Sequence, residues 1–142
     1  MCDVQRMSPK EIERRVVEAF IVPGRRERYF EALTSPKKRR KILDRLNHFV
    51  SDLDERYRVQ IPKGNQYAEA IERALTARGA PAACYVISSS REFDRKAILL
   101  KAALYSVVGL GIGTVISCIP GRLAYYEAED ANQRYVLERK AG

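Results

Sequence analysis

The chain has 142 residues, of which 46% are hydrophobic and 31% are charged, a composition typical of a folded globular domain rather than a disordered chain. The 26 lysines and arginines exceed the 18 aspartates and glutamates and give a formal net charge of +8. One histidine excludes a His-rich metal site, and three cysteines exclude an even-numbered disulfide framework. We therefore expect a single domain over residues 1–142, with a helical part at 8–55 and a strand-containing part at 56–142.

Three helices are predicted in the N-terminal part. Ser8, Pro9 and Glu11 form a capping box at the start of the first helix, and Ser35 and Pro36 begin the third by the same logic. Each helix then has one face suited to packing against a core. The apolar residues at helical spacing are Ile12, Val16, Val17 and Phe20 in the first, Tyr29, Phe30 and Leu33 in the second, and Ile42, Leu46, Phe49, Val50 and Leu53 in the third.

A strand–helix–strand unit is predicted over residues 57–88. Residues 57–61 alternate weakly and form a short strand, whereas 84–87 are a continuous apolar run that favours a strand covered on both faces. Between them, Asn65 caps a fourth helix that ends before Gly79. Its core residues are Tyr67, Ala68, Ile71 and Leu75. Such a connection predicts parallel strands joined by a right-handed crossover.

The C-terminal part is predicted to contain one helix and an antiparallel meander. Asp94 caps the helix, which covers residues 95–108. The glycines at 109, 111 and 113 end the helix and begin a loop. Strands follow at 114–119, 123–127 and 134–139, separated by a Pro120-Gly121 turn and a turn at 130–133. The predicted fold class is α+β: a helical N-terminal half followed by a mixed sheet of four to five strands ending in an antiparallel meander.

Positive charge is concentrated in residues 25–45, which hold nine basic and three acidic side chains. A run of like charge is often only a solvated face. Residues 37–41, however, place five consecutive bases in the first turns of a helix, where the positive end of the helix dipole favours acids. Five bases at this end of a helix are locally unfavourable, and a sequence that keeps them there favours an anion-binding role for the helix N-terminus. The candidate nucleic-acid-binding residues are Arg25, Arg26, Lys37, Lys38, Arg40, Lys41 and Arg45.

The expected partner is therefore a polyanion. Nucleic acid, bound through its phosphates without base reading, is the first candidate. An acidic protein or an anionic membrane surface fits the same charge. A homo-oligomer is also compatible with the sequence. No apolar run follows residues 1–6, so no signal peptide is expected and the expected compartment is the cytoplasm.

A second candidate site follows the buried strand at 84–87. Ser88, Ser89, Ser90 and Arg91 lie where the strand ends, at an edge of the sheet that often forms ligand sites. Their hydroxyl, backbone N–H and guanidinium groups could bind a phosphate or a carboxylate. Ordinary loop chemistry explains the same residues. A small-ligand or phosphoester enzyme with its site here is the alternative to a binding protein.

Residues 102–121 contain no formally charged side chain and match a membrane span in length. A membrane-associated protein with a span at these residues is the second alternative. However, glycines and Pro120 interrupt the stretch, and this pattern favours a helix, a loop and a strand instead of one continuous span. The glycine run at 109–113 follows a helix and precedes a strand, which is the reverse of a dinucleotide-binding fingerprint.

No catalytic, metal-binding or cofactor-binding motif is assigned. Cys84 and Cys118 lie in predicted strands, where a free cysteine is usually a small core residue. The acids at Glu127, Glu129 and Asp130 suit either a hard cation or a solvated hairpin end. Because neither a nucleophile–base pair nor a metal-ligand spacing stands out, the sequence favours a non-enzymatic, anion-binding protein and leaves the enzyme as an alternative.

Overall fold

Residues 7–140 are described by a computed structural model, and they form five α-helices and one six-stranded sheet. The helices are α1 (Pro9–Phe20), α2 (Arg26–Leu33), α3 (Arg39–His48), α4 (Ala68–Ala77) and α5 (Leu100–Val107). The strands are β1 (Arg58–Gln60), β2 (Ala83–Ser88), β3 (Ala97–Leu99), β4 (Thr114–Ile119), β5 (Leu123–Glu127) and β6 (Arg134–Glu138). The predicted α+β class is confirmed.

The strands are ordered β1-β6-β5-β4-β2-β3, and each neighbouring pair is antiparallel. The predicted meander is therefore present as β4–β5–β6. The sheet has six strands rather than four to five, and it is not mixed. β1 and β2 run in the same direction, as predicted, but β6, β5 and β4 lie between them. The strand–helix–strand unit thus joins two separated strands instead of forming a parallel pair.

Helices cover both faces of this sheet. The helices α1–α3 pack on one face and α4 and α5 pack on the other. Successive side chains of a strand point to opposite faces, so Tyr85 and Ile87 join the first core, whereas Cys84 and Val86 join the second. All four are buried. The continuous apolar run at 84–87 is therefore a strand covered on both faces, as predicted.

Two local sequence signals are confirmed in detail. Ser8 is the N-cap of α1, and its hydroxyl accepts a hydrogen bond from the Glu11 N–H at 3.2 Å. In the turn between β4 and β5, Gly121 has a φ of 77°, as the second central position of a type II turn requires. The Arg122 N–H closes this turn by donating to the Ile119 carbonyl at 2.9 Å.

Helix α3 is shorter than predicted at both ends. The Ser35 hydroxyl accepts a hydrogen bond from the Lys38 N–H at 3.3 Å, but residues 36–38 form a turn and the helix begins at Arg39. It ends at His48, so the last part of the predicted apolar stripe lies beyond the helix. As a consequence, part of the basic run occupies a turn and only part of it lies in the first helical turn.

Two predicted helix caps are wrong. Asn65 lies in the short 3₁₀ helix Lys63–Asn65, and Tyr67 occupies the N-cap of α4 without a side-chain hydrogen bond. Asp94 lies in a loop, and the chain cannot continue from it as a helix because Arg95 has a left-handed φ of 65°. The edge strand β3 follows this loop, and only then does α5 begin.

The uncharged stretch at 102–121 folds as the end of α5, a loop and β4. The buried Glu127 carboxylate anchors the loop by accepting hydrogen bonds from the N–H groups of Gly109 and Gly111 at 3.0 and 2.9 Å. Glu127 is thus a structural residue whose carboxylate is used inside the fold, so it belongs neither to a solvated hairpin end nor to a site that is open to a cation. Within residues 7–140, no helix has the length and hydropathy needed to cross a membrane.

Candidate nucleic-acid interface

Three of the seven candidate cations are held by other parts of the fold. The guanidinium groups of Arg25 and Arg45 pair with the buried carboxylate of Asp52, at 3.0 and 2.7 Å. The Arg26 Nε donates to the carbonyl of Ile21 at 2.9 Å. Asp52 also accepts a hydrogen bond from the hydroxyl of Tyr29 at 2.7 Å. These arginines therefore compensate a buried charge and a backbone acceptor, so they are poorly placed to bind a partner.

The other four candidates are exposed, and their side chains have no partner within residues 7–140. No ion pair or hydrogen bond is formed there by the side chains of Lys37, Lys38, Arg40 and Lys41. Arg28, on the neighbouring helix α2, is exposed and unpaired in the same way. We call these five residues the basic face. Arg28 belongs to the basic run but is not among the candidates predicted from the sequence; only the structure shows that it is exposed whereas Arg25 and Arg26 are held by the fold.

Arg39, in the middle of the basic run, is a structural residue. It is buried, and its guanidinium donates to both carboxylate oxygens of Glu13 at 2.7 Å and to both oxygens of Asp94 at 2.9 and 3.0 Å. A further bond to the Leu33 carbonyl, at 3.0 Å, satisfies the last of its five donors. The sequence signal for this role is its position toward the apolar stripe of the helix.

The ion pairs of Arg39 keep its buried guanidinium charged. Burial acts to lower the pKa of Arg39, but hydrogen bonds and charges from Glu13 and Asp94 outweigh it and raise the pKa above its ordinary value. Burial, followed by the hydrogen bond to Glu13, raises the pKa of Tyr85. The Tyr85 hydroxyl therefore stays protonated and donates to Glu13 at 2.7 Å. The result is a buried network that joins α1, α3, β2 and the loop before β3.

A groove of about 570 Å³ lies between α2 and α3. Arg28, Lys38 and Lys41 of the basic face line it, together with the acids Glu31 and Asp44. Phe49 lies in the same groove with 47% of its surface exposed. The guanidinium of Arg45 lies 4.4 Å from the centre of its ring, a cation–π arrangement. A groove that contains both cations and an exposed aromatic ring suits contact with phosphates and with an unstacked base.

A second cavity, of about 310 Å³, lies on the other side of the α3 N-terminus. We call it the serine-loop cavity, and its lining includes Lys37, Arg40, Ser88, Ser89 and Arg91. The two sites that the sequence suggests as alternatives therefore share one cavity. The 55 residues that separate Arg39 from Asp94 conceal this proximity from sequence reasoning.

The serines of this loop differ in their availability. The Ser88 hydroxyl is buried, lies 2.8 Å from the Thr114 hydroxyl and accepts a hydrogen bond from the Ser90 N–H at 3.1 Å. The Ser89 N–H donates to the Gly113 carbonyl at 2.9 Å, whereas its half-buried side chain lines the cavity. Of the four predicted ligand residues, Ser90 does not line the cavity, and Ser89 and Arg91 line it with a side chain that is available to a ligand.

One further reactive side chain lies in the α2–α3 groove, and two others are buried in the sheet. The imidazole of His48 lines the groove, is exposed, and has its Nδ1 3.0 Å from the Glu129 carboxylate. Cys84 and Cys118 are buried in the sheet as free thiols, as predicted from their strands. In the part of the chain that the structure describes, no group of three or more His, Cys, Asp or Glu side chains could hold a metal ion.

The chain matches no protein-family model, no curated protein and no solved structure. Its function is therefore argued from the geometry and charge of the basic face and the two cavities.

Proposed function

We propose that this protein binds nucleic acid through the basic face and does not act as an enzyme. The observation that carries the proposal is the division of the basic run into two classes. Its buried and half-buried arginines are paired with carboxylates or a backbone carbonyl, whereas Arg28, Lys37, Lys38, Arg40 and Lys41 are exposed and have no partner in residues 7–140. Unpaired cations on one face are the expected counterpart of a phosphate backbone.

The start of α3 supports the same proposal. Its N-cap is Lys38, which gives no side-chain hydrogen bond to the helix, and its first turn contains no acid. Cations at this end of a helix oppose the dipole, at about 0.3–1 kcal/mol each at low salt. In contrast, α1 has a serine cap and an acid in its first turn. A bound phosphate near the start of α3 would relieve the repulsion among its cations.

The mode of binding follows from the residue types. Lysines bind phosphates as point charges and carry little base information. We therefore expect nucleic-acid binding with low sequence specificity and an affinity that depends strongly on salt. The α2–α3 groove also contains the exposed ring of Phe49, and base stacking on this ring favours single-stranded or unpaired segments. We place the protein in the cytoplasm, where Cys84 and Cys118 would remain free thiols.

The test uses a charge-matched pair of triple variants. The first replaces Lys37, Arg40 and Lys41 with Gln. The control replaces Lys63, Lys101 and Lys140, which are exposed and line neither cavity. Fluorescence anisotropy then measures the binding of unrelated duplexes, a single strand, polyglutamate and vesicles rich in anionic lipid.

The proposal expects the first variant to lose affinity for all nucleic acids by a similar factor and the control to retain it. Tighter binding of polyglutamate or of the vesicles than of any nucleic acid would instead assign the face to an acidic protein or to a membrane surface. Equal affinities of the two variants for nucleic acid would contradict the proposal.

A further inference from the structure

The serine-loop cavity is formed by two segments that are far apart in the sequence. One wall is the turn at 36–38 with the start of α3, and the other is the loop that follows β2. Arg39 joins them, because its guanidinium is bonded to Asp94 on the loop and to Glu13 on α1. Asp94 in turn accepts a hydrogen bond from the Ser88 N–H at 2.9 Å. The distance between the walls is thus fixed by a buried network.

Three cations of the cavity have no partner among the residues that the structure describes. Lys37, Arg40 and Arg91 are exposed at its rim, and none of them is paired within residues 7–140. Against them stands the network of Arg39 with two carboxylates, which carries one negative charge in excess. Counted together with Glu13, which lies behind Arg39 and does not line the cavity, the charges leave an excess of two positive units. Arg39 itself contributes no free N–H, since all five of its donors are used.

We infer that the serine-loop cavity binds a phosphomonoester, which on the proposed function is the phosphorylated end of a nucleic-acid strand. A phosphomonoester is a dianion near neutral pH, and two charges match the excess charge of the cavity. Its terminal oxygens are free to accept hydrogen bonds from the Arg91 guanidinium, the Lys37 ammonium and the Ser89 hydroxyl.

The phosphate group itself distinguishes an end group from the middle of a strand. A phosphomonoester presents three terminal oxygens and close to two negative charges, whereas a backbone phosphodiester presents two free oxygens and one charge. The cavity is bounded by two walls, and its volume of about 310 Å³ is at the lower end of the range for small-ligand sites. It accommodates a phosphate with part of the attached sugar. A free nucleoside monophosphate carries the same chemical group and is the second source that the test distinguishes.

The experiment compares oligonucleotides of one sequence that carry a phosphate at the 5′ end, a phosphate at the 3′ end, or hydroxyl groups at both ends. Anisotropy gives their affinities for the full chain, and calorimetry measures adenosine monophosphate and inorganic phosphate directly. The inference expects one phosphorylated form to bind roughly tenfold more tightly than the hydroxyl form, since each charge-assisted contact contributes about that factor.

Two variants test whether the preference for a phosphorylated end arises in the serine-loop cavity. Arg91→Gln should reduce the ratio of the phosphorylated to the hydroxyl affinity to near one, and Lys37→Gln should reduce it in part. Lys41→Gln is the matched control, because Lys41 lines the α2–α3 groove and not this cavity. It should weaken both oligonucleotides equally and leave the ratio unchanged. All three side chains are exposed, so the fold should tolerate the changes.

The outcomes separate this inference from the proposed function. Adenosine monophosphate binding that Arg91→Gln abolishes, in a protein with no affinity for nucleic acid, would support the cavity and contradict nucleic-acid binding. Equal affinities for phosphorylated and hydroxyl ends, with no binding of adenosine monophosphate, would overturn the inference while nucleic-acid binding stands. A preference that Arg91→Gln leaves intact would also overturn it.

Discussion

Arg39 and Asp94 are 55 residues apart in the sequence, and the Arg39 guanidinium donates to the two carboxylate oxygens of Asp94 at 2.9 and 3.0 Å. The same guanidinium bonds both oxygens of Glu13. One arginine thus neutralises half of the charge of two carboxylates and connects the N-terminal helices to the loop after β2. These bonds give Arg39 a structural role, whereas its neighbours Arg40 and Lys41 face solvent.

Replacing Arg39 with Met should strongly destabilise the fold. The change leaves the buried Glu13 carboxylate without its charged partner, and breaking a buried ion pair in this way costs about 3–5 kcal/mol. Urea unfolding followed by circular dichroism measures the loss. Arg40→Met is the control, because its exposed side chain has no partner in the described part of the chain, and it should change stability by no more than about 0.5 kcal/mol. Equal stability of the two variants would contradict a structural role for Arg39.

Gly113→Ala should destabilise the packing between α3 and the start of β4. A Cβ atom at this position would lie 2.6 Å from the Asn47 Cβ and 2.8 Å from the Asn47 Cα, so the helix backbone would have to move. Overpacking of this kind costs about 1–3 kcal/mol. Gly64→Ala is the matched control, since nothing lies within 4 Å of its added Cβ. Thermal unfolding should show a lower midpoint for Gly113→Ala only, and a shift of equal size in both would refute the close approach.

The cysteines of the sheet should resist alkylation in the folded protein. Cys84 and Cys118 are buried, and burial raises the pKa of Cys84 to about 12 and that of Cys118 further. Because the thiolate is the reactive form, iodoacetamide should label both slowly below pH 9 and quickly after denaturation. Mass spectrometry reads the labels in a Cys2→Ser background, as Cys2 lies outside the described residues. Fast native labelling of Cys118 would indicate a reactive thiolate and favour the enzyme alternative.

Stability should fall at alkaline pH. Burial raises the pKa of Tyr29, Tyr85, Tyr125 and Tyr126 above the ordinary 10.0, and that of both cysteines above 9.0. Above these ordinary values the unfolded chain loses protons that the folded chain retains, so the stabilisation is complete below pH 9.0 and declines as pH rises. Each group contributes up to about 1.4 kcal/mol per pH unit. Urea midpoints that stay constant between pH 9.0 and pH 12 would contradict the burial of these groups.

Features fixed by neighbouring residues could be predicted from the sequence. The Ser8 cap and the Pro120-Gly121 turn depend on hydrogen bonds within four residues, and both are present. The meander and the buried strand at 84–87 follow from patterns of similar length. In these cases the local conformational preference and the tertiary structure agree, which is the condition under which a pattern is informative.

Features set by distant partners could not be predicted. The edge strand β3 is three residues long and lies in an apolar run that resembles a helix, so only its pairing with β2 reveals it. Asp94 resembles a helix cap because it is an aspartate before an apolar run, and its real partner, Arg39, is too far away in the sequence to be recognised. For the same reason, the two candidate sites look like alternatives, although the tertiary fold places them around one cavity.

The salt dependence of duplex binding tests the central claim most directly. For the parent protein and for the variant with Lys37, Arg40 and Lys41 replaced by Gln, the logarithm of the association constant is measured against the logarithm of the salt concentration. We predict a steep line for the parent and a slope flatter by about 0.9 for each phosphate that the variant no longer neutralises. The unfolding free energy of the variant should be unchanged or slightly higher, since cations leave the positive end of α3. Identical slopes and affinities would show that the basic face is only a solvated surface.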